Sequence, residues 1–287
     1  MLATFGNGAW QATGYIKIMN SAVEKRSSLS GHVDVWYCFT DDARLNSKLA
    51  RYEAMLSPAE QQQYQLLMHG SNDRDYLVSR ALLRTVLSEY CNLAPEDISF
   101  CVNAYGKPEL SNSEELGLIQ FNTAHTSGLT VCVVTRETDI GVDVESPAEN
   151  RGILNMADDY FSASELQSLN SRADDQQLDY FYRYWTLKEA YIKARGEGLS
   201  IPLHDFSILL DEQGAFSEFV GPEADRWDFS LVCKNLNYTA AIALGRKINS
   251  ITYFHSIPLV KQLELSAEEA FNNFPVSDSG QRNRMIG

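Results

Sequence analysis

Residues 141–145 read Gly-Val-Asp-Val-Glu. β-Branched residues alternate with carboxylates, which is the pattern of a strand. Asp143 and Glu145 then project to one face, roughly 7 Å apart, and Val142 and Val144 to the other. Two carboxylates on one face repel each other unless a positive group lies between them. A hard divalent cation is a natural partner, and Mg²⁺ fits best where phosphates complete its octahedron. The same Asp-x-Glu spacing also describes an ordinary strand-end pair facing solvent, and the pair alone does not separate the two.

A second candidate is WTLKEAYIKARGEGL at 185–199. Trp185, Ala190, Tyr191 and Ala194 fit one buried helical face, which leaves Lys188, Glu189 and Lys193 free for chemistry. Glu189 and Lys193 are four apart, so they also fit a surface ion pair worth a few tenths of a kcal/mol. AYGKPEL at 104–110 holds Lys107 on a stiff Gly-Lys-Pro turn. FNTAHTSG at 121–128 presents His125 just past a strand-like run, where an imidazole N–H can reach a phosphate oxygen. Arg74, Arg80 and Arg84 lie along one helical stretch, as a solvated face or a cationic wall for an anion.

These groups need elements to position them. The 287 residues are 44% hydrophobic, enough for a sizeable core in one large or two modest domains. A net charge of −14 argues against non-specific nucleic-acid binding, which needs a basic field. No apolar run approaches the ~18 residues of a membrane span. Five cysteines without a C-x-x-C pair are expected to be reduced core residues of a cytoplasmic protein. Residues 1–30 show no clear period or signal-peptide core and are expected to form a poorly ordered extension, with Met19 a possible start.

Strands are expected at 32–39, 97–102, 118–124, 129–135 and 139–145, and again at 205–210, 227–233, 238–244 and 251–254. Ser57, Pro58 and Glu60 form a capping box that opens a helix at 57–68. Helical spacing predicts further helices over 73–90, 162–169 and 179–194. From the residues alone the fold class is mixed α+β, and the second half repeats the first in outline.

The order G-K-P, F-N-x-x-H-x-x-G, G-V-D-V-E and W-x-x-K-E-A-x-x-K resembles the 4′-phosphopantetheinyl transferase superfamily, in its two-domain, surfactin-synthetase-activating type. The resemblance runs from about residue 55 to 210. It implies a sandwich-like fold of two halves related by a pseudo-two-fold axis. The expected division is 31–138 and 139–258, with a C-terminal tail at 259–287. It implies transfer of phosphopantetheine from coenzyme A to a serine of an apo acyl or peptidyl carrier protein, by a cytoplasmic monomer.

By the same resemblance, Asp143, Glu145 and Glu189 are the Mg²⁺ carboxylates, and Glu189 is also the candidate base. Lys193 and His125 stabilise the leaving phosphate, and Lys188 helps neutralise that region. Lys107 and Pro108 lie beside the coenzyme A adenine and 3′-phosphate. Arg74 or Arg80 supplies an arginine to that phosphate. One departure is Ala124, where many members carry serine before the histidine. The missing hydroxyl is expected to weaken coenzyme A binding by ~1.5–3 kcal/mol. Two alternatives are another Mg²⁺-dependent nucleotide enzyme and a non-catalytic carrier- or coenzyme A-binding module.

Overall fold

The computed structural model describes residues 31–68, 73–111, 118–147, 151–234 and 237–272. The expected extension at 1–30 and the end of the tail lie outside the described residues. The strands are β1 (His32–Phe39), β2 (Phe100–Val102), β3 (Pro108–Leu110), β4 (Ile119–Thr126), β5 (Leu129–Arg136), β6 (Ile140–Glu145), β7 (Ser207–Leu210), β8 (Phe216–Val220), β9 (Asp228–Lys234), β10 (Thr239–Leu244), β11 (Ser250–Ile257) and β12 (Lys261–Leu265). The α-helices are α1 (Leu49–Ala54), α2 (Pro58–Leu67), α3 (Asp73–Cys91), α4 (Ala157–Tyr160), α5 (Ala163–Asn170), α6 (Asp174–Arg195) and α7 (Ala267–Asn272).

Side-chain alternation sorts these strands into layers. On β1, Trp36 and Cys38 join the apolar core under α3, while Val33, Val35, Tyr37 and Phe39 point the other way. The second set meets Val142 and Val144 of β6 and Ala240, Ile242 and Leu244 of β10 in one shared apolar layer. On the far side of β10, Ala241 and Ala243 pack into the core under α6. The result is two sheets face to face, with α3 outside one and α6 outside the other. This is the sandwich of two halves that the motif order implies. β1 is buried throughout because it is central and covered on both faces.

The first sheet runs β12-β11-β1-β5-β4 and the second β6-β10-β9. Strand β11 pairs parallel with β1, placing Ser250 beside His32. The chain therefore returns to its first sheet at the end, and β5 and β11 flank β1 on its two sides. This corrects the expected division: the second half ends before β11, and Ser250–Leu265 belongs to the first sheet. The described part of the expected tail holds β12 and α7. Sequence missed β12 because Lys, Gln and Glu are poor strand formers. At the start of the sheet, the fully buried Asp34 carboxylate is held by His32 at 2.9 Å and by the Tyr90 hydroxyl at 2.5 Å. All five cysteines are free, and all but Cys101 are buried.

Gly141 explains how α6 lies so low on β6. A Cβ there would stand 2.1 Å from the Ala190 carbonyl oxygen and 2.4 Å from the Ala194 nitrogen. Gly141→Ala is expected to push α6 off the strand and cost about 1–3 kcal/mol or more in urea unfolding. An unchanged urea midpoint would show that the helix does not rest on this strand so closely.

Candidate active site

Gly141, Asp143 and Glu145 share the face of β6 that meets α6. On the helix, Trp185, Glu189 and Lys193 recur at i, i+4 and i+8, so they form one stripe. The two rows meet. Lys193 Nζ donates to Asp143 Oδ1 at 2.5 Å. The Trp185 indole lies near the Glu145 carboxylate and lowers its pKa. Trp185 itself is fixed edge-on by Tyr160 at 5.4 Å and by stacking on Phe181. Sequence reading took Trp185 for core; its i, i+4, i+8 spacing to Glu189 and Lys193 was the available signal.

The electrostatics are unbalanced. Burial and then Asp143 push the Glu145 carboxyl up to about 7, against the Trp185 hydrogen bond and Lys193. Burial and then Asp143 also raise Glu189, and Lys193 opposes the shift. Asp143 is buried, and its Oδ2 has no hydrogen-bond partner. Three carboxylates thus face one ammonium. Among the described residues no three His, Cys, Asp or Glu side chains are already gathered tightly enough to hold a metal ion. The donor chemistry nevertheless fits a hard divalent cation: oxygen ligands, an excess of negative charge and an orphaned buried carboxylate oxygen.

The other wall comes from β4. Val142 N donates to Asn122 Oδ1 at 3.0 Å, and Ser146 N to Thr126 Oγ1 at 3.3 Å. These side chains tie β4 to β6 where the sheets adjoin. His125 points to the opposite face of β4 and is solvent-exposed. Desolvation still lowers its pKa; Asp75 opposes that shift, while Arg80 and Lys193 add to it. At neutral pH the ring is the uncharged tautomer, a donor of one N–H. Arg80 stands beside it, with a buried Nε that has no hydrogen-bond partner.

The expectations for Lys188 and Arg74 need correction, and the surroundings of Lys107 and Ala124 are as follows. Lys188 is fully buried, donating to the carbonyls of Leu203 at 2.7 Å and Phe206 at 2.8 Å and pairing with Glu165 at 2.8 Å. Consecutive helical residues lie about 100° apart, so Lys188 and Glu189 face different layers. Lys107 spends its ammonium on the Ala194 and Ile140 carbonyls, where it caps α6 and joins it to β6. Arg74 is bound by the Thr40 carbonyl, by Asn46 at 2.9 Å and by the Asp42 carbonyl at 3.2 Å, which anchors the loop after β1. Arg80 holds only a long ion pair to Glu60, at 3.9 Å, and is therefore the arginine more open to a ligand. Finally, Ala124 is buried in the apolar layer between the sheets, on the face opposite His125. A serine hydroxyl there would enter that layer. Pro108 opens β3, where a strand needs no donor.

Lys188→Ala leaves Glu165 buried without its cation and is expected to cost about 3–5 kcal/mol of stability. A variant that unfolds at the wild-type urea midpoint would return Lys188 to the list of free cations.

Comparison with known proteins agrees with this geometry. Residues 139–243 match the family model described as the 4′-phosphopantetheinyl transferase superfamily, and residues 44–137 match the model of the 4′-phosphopantetheinyl transferase N-terminal region. The two matched stretches adjoin just before β6. A 4′-phosphopantetheinyl transferase of Bacillus subtilis is 34% identical over 167 residues, covering 58% of this chain and 72% of its own. The 4′-phosphopantetheinyl transferase HetI of Nostoc sp. is 32% identical over 218 residues, covering 76% and 89%. With both halves matched and the motif residues of β6 and α6 facing each other, the chain belongs to the 4′-phosphopantetheinyl transferase superfamily.

Proposed function

We propose that this chain transfers 4′-phosphopantetheine from coenzyme A to a serine hydroxyl of an apo acyl or peptidyl carrier protein. The observation that carries the reading is the carboxylate cluster: Asp143, Glu145 and Glu189 around the single ammonium of Lys193, with Asp143 Oδ2 unpartnered. Asp143, Glu145 and Glu189 would hold Mg²⁺, which when bound neutralises the pyrophosphate charge.

The chain's own groups do the rest. Glu189 takes the proton of the attacking serine hydroxyl. The serine oxygen bonds to the phosphorus that carries pantetheine, and the pyrophosphate P–O bond breaks. Its electron pair stays on the 5′-phosphate of adenosine 3′,5′-bisphosphate. Lys193 and the N–H of His125 stabilise that leaving phosphate. Trp185 lies beside Glu145 and favours its ionised form. Arg80 meets a donor phosphate, and the Gly106–Pro108 turn borders the adenine. Both walls of the site come from one chain, which supports action as a monomer. The non-catalytic alternative rested on Ala124, whose side chain lies in the apolar layer.

Incubation with apo carrier protein, coenzyme A and Mg²⁺ is expected to add about 340 Da to the carrier, the mass of the transferred group. Chelating the metal abolishes the shift, and so does Asp143→Ala. Near-normal turnover of Asp143→Ala with Mg²⁺ would refute the metal assignment. Arg80→Ala is expected to weaken coenzyme A binding about tenfold, the loss of one charge-assisted hydrogen bond. Arg74→Ala should leave affinity nearly unchanged and lower stability. The reverse pattern would exchange the two roles.

A further inference from the structure

A cleft of about 690 Å³ opens away from the carboxylate cluster, between α1, the last turns of α3 and the turn joining β11 to β12. That volume suits a small organic ligand. Ile257, Leu259 and Val260 form an apolar wall, and Val260 is 48% exposed. Lys48 and Arg51 line the α1 side. Neither side chain has a carboxylate partner among the described residues, in a chain where 38 acids outnumber 24 lysines and arginines. Two adjacent cations left unpaired amid that excess of acid mark a place for an external anion.

A second observation is independent of charge. Thr85 lines the same cleft and is only 5% exposed, yet its hydroxyl has no hydrogen-bond partner. Gln262 Oε1, on the β12 side, is buried and unpartnered as well. Buried polar atoms are nearly always paired, so two orphans in one cleft call for a group that supplies the bonds. Glu89 also lines it. Burial raises its carboxyl pKa, which its hydrogen bond from Gln262 only partly offsets.

We propose that this cleft binds a small amphiphilic carboxylate. Its carboxylate pairs with Lys48 and Arg51, its apolar chain lies on Ile257, Leu259 and Val260, and a hydroxyl at its other end meets Thr85 and Gln262. Inorganic phosphate alone would leave the apolar wall wet, and a plain hydrocarbon would leave the cations and orphans unpaired. The site stands independently of the transfer reaction.

The test is calorimetric titration of the full chain with octanoate, octan-1-ol and 8-hydroxyoctanoate. Octanoate is expected to bind saturably, at least about tenfold more tightly than octan-1-ol. Lys48→Ala with Arg51→Ala removes that tenfold advantage, and Val260→Trp, at an exposed position, blocks binding. Saturating coenzyme A leaves octanoate affinity unchanged. No saturable binding, equal affinity for the alcohol, variants that bind like wild type, or displacement by coenzyme A would each overturn the proposal. 8-Hydroxyoctanoate should bind more tightly than octanoate; equal affinity would overturn the assignment of Thr85 and Gln262.

Discussion

The contact between α6 and β6 is the constraint from which the site follows. A glycine at 141 lets the helix backbone come within van der Waals range of the strand backbone. The outer face of β6 then has no room for a side chain at its start and two carboxylates at its end. The helix opposite presents Trp185, Glu189 and Lys193 at one-turn spacing. Residues more than forty positions apart thus meet because one side chain is missing between two elements. A larger residue at 141 would lift the helix and separate Asp143 from Lys193 without changing either.

The same helix uses two lysines in opposite ways, and the difference is one of angle. Lys188 turns into the core, where Glu165 and two carbonyls satisfy its charge. Glu165 also accepts from Ser162 N in a capping box and from Ile208 N, so α5, α6 and β7 are locked through one carboxylate. Such a network is closed: every partner is internal. Lys193 is part of an open one. It is about one-third exposed and reaches one oxygen of one of three carboxylates, leaving the other side unsatisfied. Closed networks hold a fold, whereas open ones await a ligand.

Much of this was legible in sequence, and the failures share a cause. Strand alternation set Asp143 and Glu145 on one face, and the capping box at Ser57–Glu60 is present as expected. The mixed α+β fold class was also legible. Charged residues were the weak point. Lys107, Lys188 and Arg74 look like free cations in a sequence, yet each is consumed by carbonyl oxygens that no pattern announces. Ala124 and His125 are adjacent in sequence but point to opposite faces of β4. Asn122 has no role legible from the F-N-x-x-H pattern, yet it supplies the bond that fastens β4 to β6. The return of β11 to β1 joins residues more than two hundred positions apart, beyond any local period.

The charge count around the site carries the argument one step further. Lys193 and Arg80 bring two positive charges, while His125 is held neutral by desolvation. Asp143, Glu145 and Glu189 bring up to three negative ones, and the chain as a whole carries −14. A pyrophosphate approaching this cleft therefore meets no net attraction from protein groups alone. Desolvation raises Glu145 and Glu189 and so reduces the repulsion by favouring protonation, but a protonated carboxyl is a poor ligand. On the proposed reading, a divalent cation reverses both effects at once. It keeps the carboxylates ionised and turns their excess charge into a bridge to phosphate oxygens. The cluster is thus poised between two charge states, and the metal and the anionic donor should each strengthen the binding of the other.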